Sequence, residues 1–501
     1  MHQVNVPNNF FSLKTLKKER FVIAGVTTIS LFLSFIHCPL FNIFYDDKEI
    51  FKYAGLLISK GSVPYRDFFD HKPPLIFFIN YFGLSLGAWG LWILDTVLTL
   101  ISTLFFLRKC IDNKITFPWL LPILFNLLLR NNIISYGIGM TREYTAIFLL
   151  LFFCIAIGTL KYKYFFLGLL SALIFFTQQE QILPLAPFLF YAVFAGTTHF
   201  YYDALKRMTM ICAGFLIIVI PLLSYFILHH SLKYFWEDAF LFNFNWYTEK
   251  KSVAEHARAI TQILQKSGYD LTLYVSVILC FISLYVGNRK KILLITCLFA
   301  IAFSFSAELL SGKLIAGLSV EYYLLPLSAT LPISLFTVFA FSRDLFLLHK
   351  LNQLIYGILL IFNPFFILLR YTIHLHPGNK NPVEISSEFQ YLKKQNPQDY
   401  QLYIFYNSDA IYMYNQFKIL SPSPWIYHYF WHWYNTWDSD NKKLDAITLD
   451  LQKHKTNFIL DYSDENSFKD KDNYEFWKSF LKNKYTLVPM ESSNTVLWKL
   501  K

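Results

Sequence analysis

Residues 45–74 read YDDKEIFKYAGLLISKGSVPYRDFFDHKPP, a charged and polar stretch that separates two apolar segments of the chain. Its first half has the period of an amphipathic helix, because Ile50, Tyr53 and Leu57 fall on one face and most of the charges fall outside it. We expect such a helix to lie along a membrane surface rather than to cross the membrane. The second half is rich in turn-forming residues and returns the chain to the next apolar segment.

Two groups of polar side chains stand near the ends of this stretch. Asp46 and Asp47 begin the helix, where carboxylates are favoured by free backbone N–H groups and by the helix dipole. A helix cap and a catalytic pair are therefore both open interpretations. The second group lies on the return of the loop and consists of Asp67, Asp70, His71 and Lys72. The sequence thus predicts a proton acceptor and a fixed cation at one membrane face.

The composition predicts an α-helical polytopic membrane protein. Of the 501 residues, 55% are apolar and only 16% are charged, and the apolar residues form long blocks. The net charge of +11 is spread over short basic clusters between these blocks, which is typical of membrane orientation rather than of nucleic-acid binding. The cysteines show no C-x-x-C spacing, so neither a disulfide framework nor a zinc site is indicated.

The distribution of basic residues also predicts the topology. Lysines and an arginine directly precede the first apolar block, residues 21–41, which places the N-terminus in the cytoplasm. Taking about 20 residues as one crossing, we count about 11 transmembrane helices, the last at residues 351–370. Short basic loops then alternate with longer loops that carry acidic and aromatic residues. Residues 42–74, the first outer loop, and residues 229–270, the second outer loop, are predicted to lie outside.

The end of the chain has a different character from the rest. Residues 1–375 form the predicted transmembrane domain, whereas residues 376–501 alternate short apolar runs with charged helical stretches. We expect strands at residues 402–406, 458–461, 485–488 and 496–500, and helices at residues 444–453 and 476–481. This pattern predicts a small α/β domain, the tail domain, on the outer side of the membrane.

The first outer loop resembles a known family. An acidic pair, a glycine fifteen residues after its first member and a return that ends in Lys-Pro-Pro are similar to the first extracytoplasmic loop of the GT-C superfamily. The resemblance is nearest to transferases that use polyprenyl-phosphate sugars, among them the protein O-mannosyltransferases and the lipid A aminoarabinose transferases. Asp47 and His71 depart from the usual pattern. The family usually has a glutamate where this chain has Asp47, and the aminoarabinose branch has a glutamate where this chain has His71.

The resemblance implies a GT-C fold and assigns roles to three residues. Asp46 matches the general base, Lys72 matches a contact to the donor phosphate, and Asp47 would orient or support Asp46. These residue types suit the reaction, because an attacking hydroxyl must lose its proton and a departing phosphate needs a cation. One carboxylate suffices, because a phosphate leaving group needs no protonation, unlike the leaving group of most glycosidases.

Further polar residues occur at the predicted outer ends of spans. Arg142 is a second candidate for the donor phosphate, although a surface charge pair with Glu143 is an equal alternative. A substrate cavity is expected to include Glu143, Gln178, Gln179, Glu180, Glu321 and Tyr322, together with Asp67, Asp70 and His71. For residues 178–181, the glutamine cluster, an ordinary polar turn is the alternative interpretation. His428 and His432 have helical metal-pair spacing but no third ligand, so no metal site is predicted.

These observations favour an inverting glycosyltransferase that moves a sugar from a polyprenyl-phosphate donor to a hydroxyl on lipid A or lipopolysaccharide, surface polysaccharide or protein. It would act at the outer face of a bacterial cytoplasmic membrane. A GT-C enzyme with a diphosphate-linked or oligosaccharide donor, a transporter or flippase of lipid-linked saccharides, and an inactive relative are the alternatives. A transporter is less favoured because no internal repeat is evident and the charges gather at one face. No cofactor is expected, and the need for a divalent cation is left open, as are the sugar and the acceptor.

Overall fold

The structure is a computed structural model. It describes residues 13–41, 46–131, 135, 138–197, 199–245, 253–286, 290–310, 314–315, 318–319, 321–341, 357, 361–362, 365, 382–397, 399–426, 442–468, 470–490 and 496–501. Up to residue 341 the described chain is almost entirely helical, and from residue 382 onward it mixes helices with a small sheet.

The helices of the first part form a bundle. In chain order they are α1 (Leu13–Phe35), α2 (Asp46–Ser59), α3 (Leu75–Ser85), α4 (Gly90–Asp112), α5 (Leu120–Leu129), α6 (Thr141–Ala156), α7 (Lys163–Thr177), α8 (Ile182–Phe194), α9 (Phe200–Leu228), α10 (Leu232–Trp236), α11 (Phe242–Asn245), α12 (Val253–Ser267), α13 (Tyr269–Val286), α14 (Lys291–Leu310) and α15 (Leu327–Phe341). A π-helical turn, Glu237–Leu241, joins α10 to α11. A short antiparallel ribbon of β1 (Leu314–Ile315) and β2 (Leu318–Ser319) precedes α15.

Several of these helices are suited to a membrane. Within the described residues, four segments are long and apolar enough to span one, namely Glu19–Phe41, Gly90–Asp112, Phe200–Leu228 and Tyr269–Val286. The apolar helices α3, α5, α7, α14 and α15 are shorter. The count of about 11 crossings stays a prediction, because the last expected span, residues 351–370, lies mostly outside the described residues.

Two glycines allow α7 and α9 to approach closely. A Cβ added to Gly168 would lie 1.9 Å from the carbonyl oxygen of Ile211, and one added to Gly214 would lie 1.9 Å from that of Phe165. Small residues at such contacts are typical of helix packing in membranes, where close backbone approach replaces the hydrophobic driving force. Helices α7 and α9 therefore pack with their backbones in direct contact.

The amphipathic helix expected in the first outer loop is confirmed as α2. The apolar face that the sequence predicted is buried, with Ile50, Tyr53 and Leu57 all in the core. Helix α2 ends at Ser59, and Gly61 follows it with a φ of +92°, in the left-handed region that glycine adopts without strain. The backbone N–H of Ser62 then bonds the carbonyl of Leu57.

The tail domain contains a four-stranded sheet. Its elements are α16 (Ser387–Lys394), β3 (Leu402–Phe405), α17 (Ile411–Phe417), α18 (Lys442–Lys453), β4 (Phe458–Asp461), α19 (Lys471–Lys484), β5 (Tyr485–Val488) and β6 (Val496–Leu500). The strand order is β3-β4-β6-β5, in which β3 and β4 are parallel and the other neighbours are antiparallel. The four predicted strands and both predicted helices are confirmed, whereas α16 and α17 were not predicted.

Candidate active site

The acidic pair stands at the start of α2. The helix begins at Asp46, as the helix-cap interpretation and the catalytic one both require. The side chain of Asp46 lies outside the described residues. The side chain of Asp47 is partly buried, and its charge acts on Asp70 of the same loop. The two polar groups of the first outer loop are therefore neighbours in the structure.

The backbone around Lys72 is held by two hydrogen bonds from within the loop. The backbone N–H of Lys72 donates to Oδ1 of Asp70 over 2.8 Å, and the hydroxyl of Tyr65 donates to the Lys72 carbonyl over 2.7 Å. Asp70, Tyr65 and Lys72 are all buried. The position of the lysine is thus fixed by the fold rather than left to solvent.

The second outer loop closes over this segment. The side-chain amide of Asn243 donates to the carbonyl of His71 over 2.6 Å, and the ring of Phe242 lies 5.9 Å from the His71 imidazole, centroid to centroid. Because α11 supplies both Asn243 and Phe242, this short helix covers the return of the first outer loop. His71 is buried beneath it.

Two carboxyl groups of this region have raised pKa values. Burial raises the pKa of Asp70 to about 7, and the Asp47 charge acts in the same direction, against the N–H and ammonium groups of Lys72. Burial likewise raises the pKa of Asp238 to about 8, with Glu237 and Asp70 adding to the effect. Strongly perturbed carboxyls grouped in one place are typical of functional sites. Near pH 7 the neutral form of each carboxyl is therefore well populated.

The sequence reasoning did not single out Asp238. This residue lies in the π-helical turn between α10 and α11, an element that is rare and often occurs at functional sites. Its only sequence signal is an acid inside the aromatic run of the second outer loop, WEDAF.

The tail domain is docked directly on α2. The hydroxyl of Tyr53 accepts from the backbone N–H of Ser421 over 2.7 Å and donates to the carbonyl of Ile419 over 3.2 Å. Its ring stacks on Tyr414 with centroids 4.8 Å apart and an interplanar angle of 15°. One turn earlier on α2, Glu49 accepts from the amide of Asn415 over 2.6 Å.

A second contact joins the tail domain to the return of the first outer loop. The backbone N–H of Phe69 donates to the carbonyl of Pro424 over 2.9 Å, and its ring lies 5.3 Å from that of Trp425. The Nζ atom of Lys443 in α18 lies 5.5 Å from the centroid of the Trp425 ring, and its charge lowers the pKa of Asp238 against the effect of burial. The candidate site is therefore built from three segments, the two outer loops and the tail domain.

Arg142 and Glu143 do not pair with each other. Arg142, fully buried, donates to Oε1 of Glu180 over 2.7 Å, and its guanidinium lies 3.6 Å from the centroid of the Tyr323 ring. Glu180 also accepts from Gln178, while Gln179 donates to the carbonyl of Ala239 over 3.1 Å. The glutamine cluster thus joins the start of α6 to the π-helical turn.

Glu143 belongs to a separate buried cluster. Arg130 bonds both Glu143 and Asp95, and it also donates to Oγ1 of Thr99 over 2.9 Å. None of these three ionisable side chains is exposed. The sequence analysis missed Arg130 and Asp95, although an ionisable residue inside an apolar block is a signal in itself. The cluster links α4 and α6 through Arg130, which directly follows α5.

The remaining predicted residues are placed differently or not described. Asp67 bonds the guanidinium of its neighbour Arg66 and the backbone N–H of Val63, so its partly exposed carboxylate closes the turn at residues 63–67. The side chains of Glu321 and Tyr322, and the whole of His428 and His432, lie outside the described residues. Among the side chains that the structure does describe, no group of three or more His, Cys, Asp or Glu residues is arranged to hold a metal ion.

The fold as a whole is similar to that of ArnT from Cupriavidus metallidurans. The crystal structure of ArnT bound to undecaprenyl phosphate matches with a TM-score of 0.56 and 11% identity, covering 96% of this chain and 97% of that one. The apo structure of ArnT matches with a TM-score of 0.60 and 10% identity, covering 96% and 98%. In sequence, the chain matches no family model and none of the curated proteins.

At this level of identity the likeness establishes the fold. The protein is an α-helical multi-pass membrane protein with a small sheet near its C-terminus, as the resemblance to the GT-C superfamily led us to expect. Its fold is that of ArnT over nearly the whole chain.

Proposed function

We propose that the protein is an inverting glycosyltransferase that moves a sugar from a polyprenyl-phosphate donor to a hydroxyl acceptor. The observation that supports the proposal most is the likeness over 96% of the chain to ArnT, one structure of which contains undecaprenyl phosphate. ArnT is a lipid A aminoarabinose transferase of the GT-C superfamily. Lipid A or lipopolysaccharide, surface polysaccharide and protein are the acceptor classes that the proposal includes.

The proposed reaction is a single displacement. Asp46 takes the proton of the acceptor hydroxyl as its oxygen attacks the anomeric carbon, and Asp47 orients Asp46. The bond between that carbon and the phosphate oxygen breaks, and its electron pair leaves with the polyprenyl phosphate. Because attack and departure occur on opposite faces of the sugar, the anomeric configuration inverts. The proposed step uses no cofactor.

Lys72 supplies the positive charge at the departing phosphate. Its backbone is fixed by Asp70 and Tyr65, so the side chain starts from a defined position. The raised pKa of Asp70 supports this role, because the neutral form of this carboxyl, which is well populated near pH 7, does not compensate the Lys72 ammonium charge. An anionic donor is then attracted rather than repelled.

Arg142 is proposed as a second contact to the donor phosphate. A guanidinium has five N–H donors, so Arg142 is able to bond Glu180 and an anion at the same time. The stacking of the guanidinium on Tyr323 holds its plane in one orientation. Gln178 and Glu180 would then shape the cavity indirectly through Arg142, and Gln179 would do so through the turn that contains Asp238. Glu143 would act through its bond to Arg130.

We propose that the site faces outward from a bacterial cytoplasmic membrane, with the N-terminus inside. Short basic loops support this orientation, among them the one at Lys161 and Lys163. Cysteine labelling from each side of the membrane tests it. A result that places Lys290 and Asp409 on the same side would contradict the proposed topology.

The proposed function is tested by comparing a deletion strain with strains that express the protein or a variant. Glycolipid, polysaccharide and glycoprotein fractions are examined by mass spectrometry, and the sugar lost in the deletion strain identifies donor and acceptor. Asp46→Asn should lower transfer by about 10² to 10⁴-fold with donor binding kept, the range typical of a general base. Lys72→Ala should weaken donor binding as well as transfer.

Asp112→Asn is the matched control, because Asp112 is exposed at the end of α4 and pairs with Arg108. It should leave transfer unchanged. Full activity in well-expressed Asp46→Asn and Asp47→Asn would reduce the acidic pair to a helix cap and end the proposal. Adding a chelator to the same transfer assay decides whether a divalent cation takes part.

A further inference from the structure

A cavity lies at the end of the helical bundle that is remote from the candidate active site. It has a volume of about 560 Å³ and lies between the C-terminal ends of α6, α8 and α15 and the N-terminal ends of α7 and α14. Helix α6 begins at Thr141, next to Arg142, and ends at this cavity, so its 16 residues separate the cavity from Arg142 by roughly 24 Å. The volume is in the range of small-molecule binding sites.

The cavity is positively charged. Lys163, Lys290 and Lys291 line it, and no acidic residue occurs among the described residues of its wall. Lys163 is half-buried, with its Nζ atom 3.4 Å from the carbonyl oxygen of Gly158. The N-terminal ends of α7 and α14 add the positive ends of two helix dipoles.

The opposing dipole of α8 is covered by an arginine. Arg207 of α9 donates to the carbonyl of Val193 over 2.9 Å and to that of Ala195 over 2.8 Å, both at the C-terminal end of α8. These carbonyls therefore face a guanidinium instead of the cavity. The nearby acid Asp203 accepts from the backbone N–H of His199 and does not line the cavity.

The rim of the cavity is apolar and exposed. Ile292, a residue of its wall, is 66% exposed, and Phe190, adjacent to the wall residue Tyr191, is 65% exposed. In a membrane-spanning bundle, such side chains at the end of helices lie at the boundary between acyl chains and headgroups. A ligand in the cavity thus has access to an apolar phase on one side and to lysines on the other.

We propose that this cavity binds the phosphate headgroup of an anionic membrane lipid, with the acyl chains running over the Ile292 rim. Basic cavities between transmembrane helices recognise such headgroups in general. The lipid would hold α7, α8 and α14 together at this end of the bundle. The exposed apolar rim favours a lipid over free inorganic phosphate, because free phosphate would gain nothing from it.

The test is native mass spectrometry of the full-length protein in detergent, titrated with phosphatidylglycerol. The triple variant Lys163→Gln, Lys290→Gln and Lys291→Gln should bind this lipid at least tenfold more weakly, because each lysine near a phosphate contributes roughly a fivefold factor. The matched control changes three lysines that do not line the cavity: Lys114→Gln after α4, Lys161→Gln before α7 and Lys206→Gln within α9. Its affinity should equal that of the unchanged protein.

Further arms separate the sources of phosphate and the two sites. Replacing the three lining lysines by arginine should retain binding, and phosphatidylcholine should bind no better to the unchanged protein than to the glutamine variant. Lys72→Ala, at the candidate active site, should leave phosphatidylglycerol binding unchanged, so this proposal and the proposed function fail separately. The proposal would be overturned if the lining variant and the control variant lost the same affinity for phosphatidylglycerol. Displacement of the lipid by millimolar inorganic phosphate would also overturn it.

Discussion

The hydroxyl of Tyr53 is the point at which the tail domain is most directly bonded to α2, so we develop its removal in detail. Tyr53→Phe keeps the ring and its stacking on Tyr414 but removes the oxygen that joins Ser421 and Ile419. Two backbone groups of the tail domain then lose their partner at a buried contact. The change is small in volume, so we expect little disturbance of the apolar face of α2.

The cost follows from the two lost bonds. Leaving a buried donor or acceptor unsatisfied costs about 1–3 kcal/mol, so together the two lost bonds weaken docking by about 2–6 kcal/mol. At 1.4 kcal/mol per factor of ten, the undocked population rises about 25- to 20,000-fold. Backbone amides of residues 411–426 should exchange with deuterium faster by a similar factor, because they exchange through local opening.

Hydrogen–deuterium exchange of the full-length protein in detergent measures this effect. Peptides over β4 serve as the internal reference, because this strand lies in the centre of the sheet. Tyr81→Phe is the control variant, since Tyr81 lies on α3 and is 39% exposed. The inferred docking would be refuted if the exchange rates of residues 411–426 in Tyr53→Phe stayed within twofold of those in the unchanged protein.

Two further predictions concern buried charges. The pKa of Asp70 is about 7 in the folded protein and about 3.8 otherwise, so the folded state binds more protons and stability falls as the pH rises from about 4 to 7. The melting temperature should therefore fall between pH 5 and pH 8 less steeply in Asp70→Asn than in the unchanged protein, and parallel curves would contradict this. Arg130→Met leaves Asp95 and Glu143 buried without their cation, which should cost about 3–5 kcal/mol. Adding Asp95→Asn and Glu143→Gln to Arg130→Met should restore much of the lost melting temperature, which is measured by size-exclusion chromatography after heating. If Arg130→Met alone were as stable as the unchanged protein, the cluster would not be required for stability.

The elements of this fold were predictable wherever the pattern that specifies them is local. The predicted span at residues 163–177 has the bounds of α7, and the predicted strand at residues 458–461 has those of β4. The buried face of α2 was also predicted, because the periodicity of a helix is written in consecutive residues. Apolar blocks and basic loops likewise sufficed for the membrane class, since the bilayer constrains length and charge directly.

The candidate site was predictable only in part. The sequence indicated the first outer loop, and the structure brings Asp47, Asp70 and Lys72 together there. The catalytic roles of these residues stay predictions. Asp67, by contrast, is bonded to Arg66 and Val63 within a turn of the loop, a local arrangement that the composition of the loop did not distinguish from a place in the cavity.

Only the tertiary structure decided which distant groups meet. Arg142 pairs with Glu180 rather than with its neighbour, and Arg130 reaches Asp95, 35 positions away in sequence. The docking of Tyr53 on residues of the tail domain joins positions more than 360 apart. Sequence patterns report the period and polarity of single elements, whereas these pairings depend on how whole helices pack and on which buried charges must be compensated once they do.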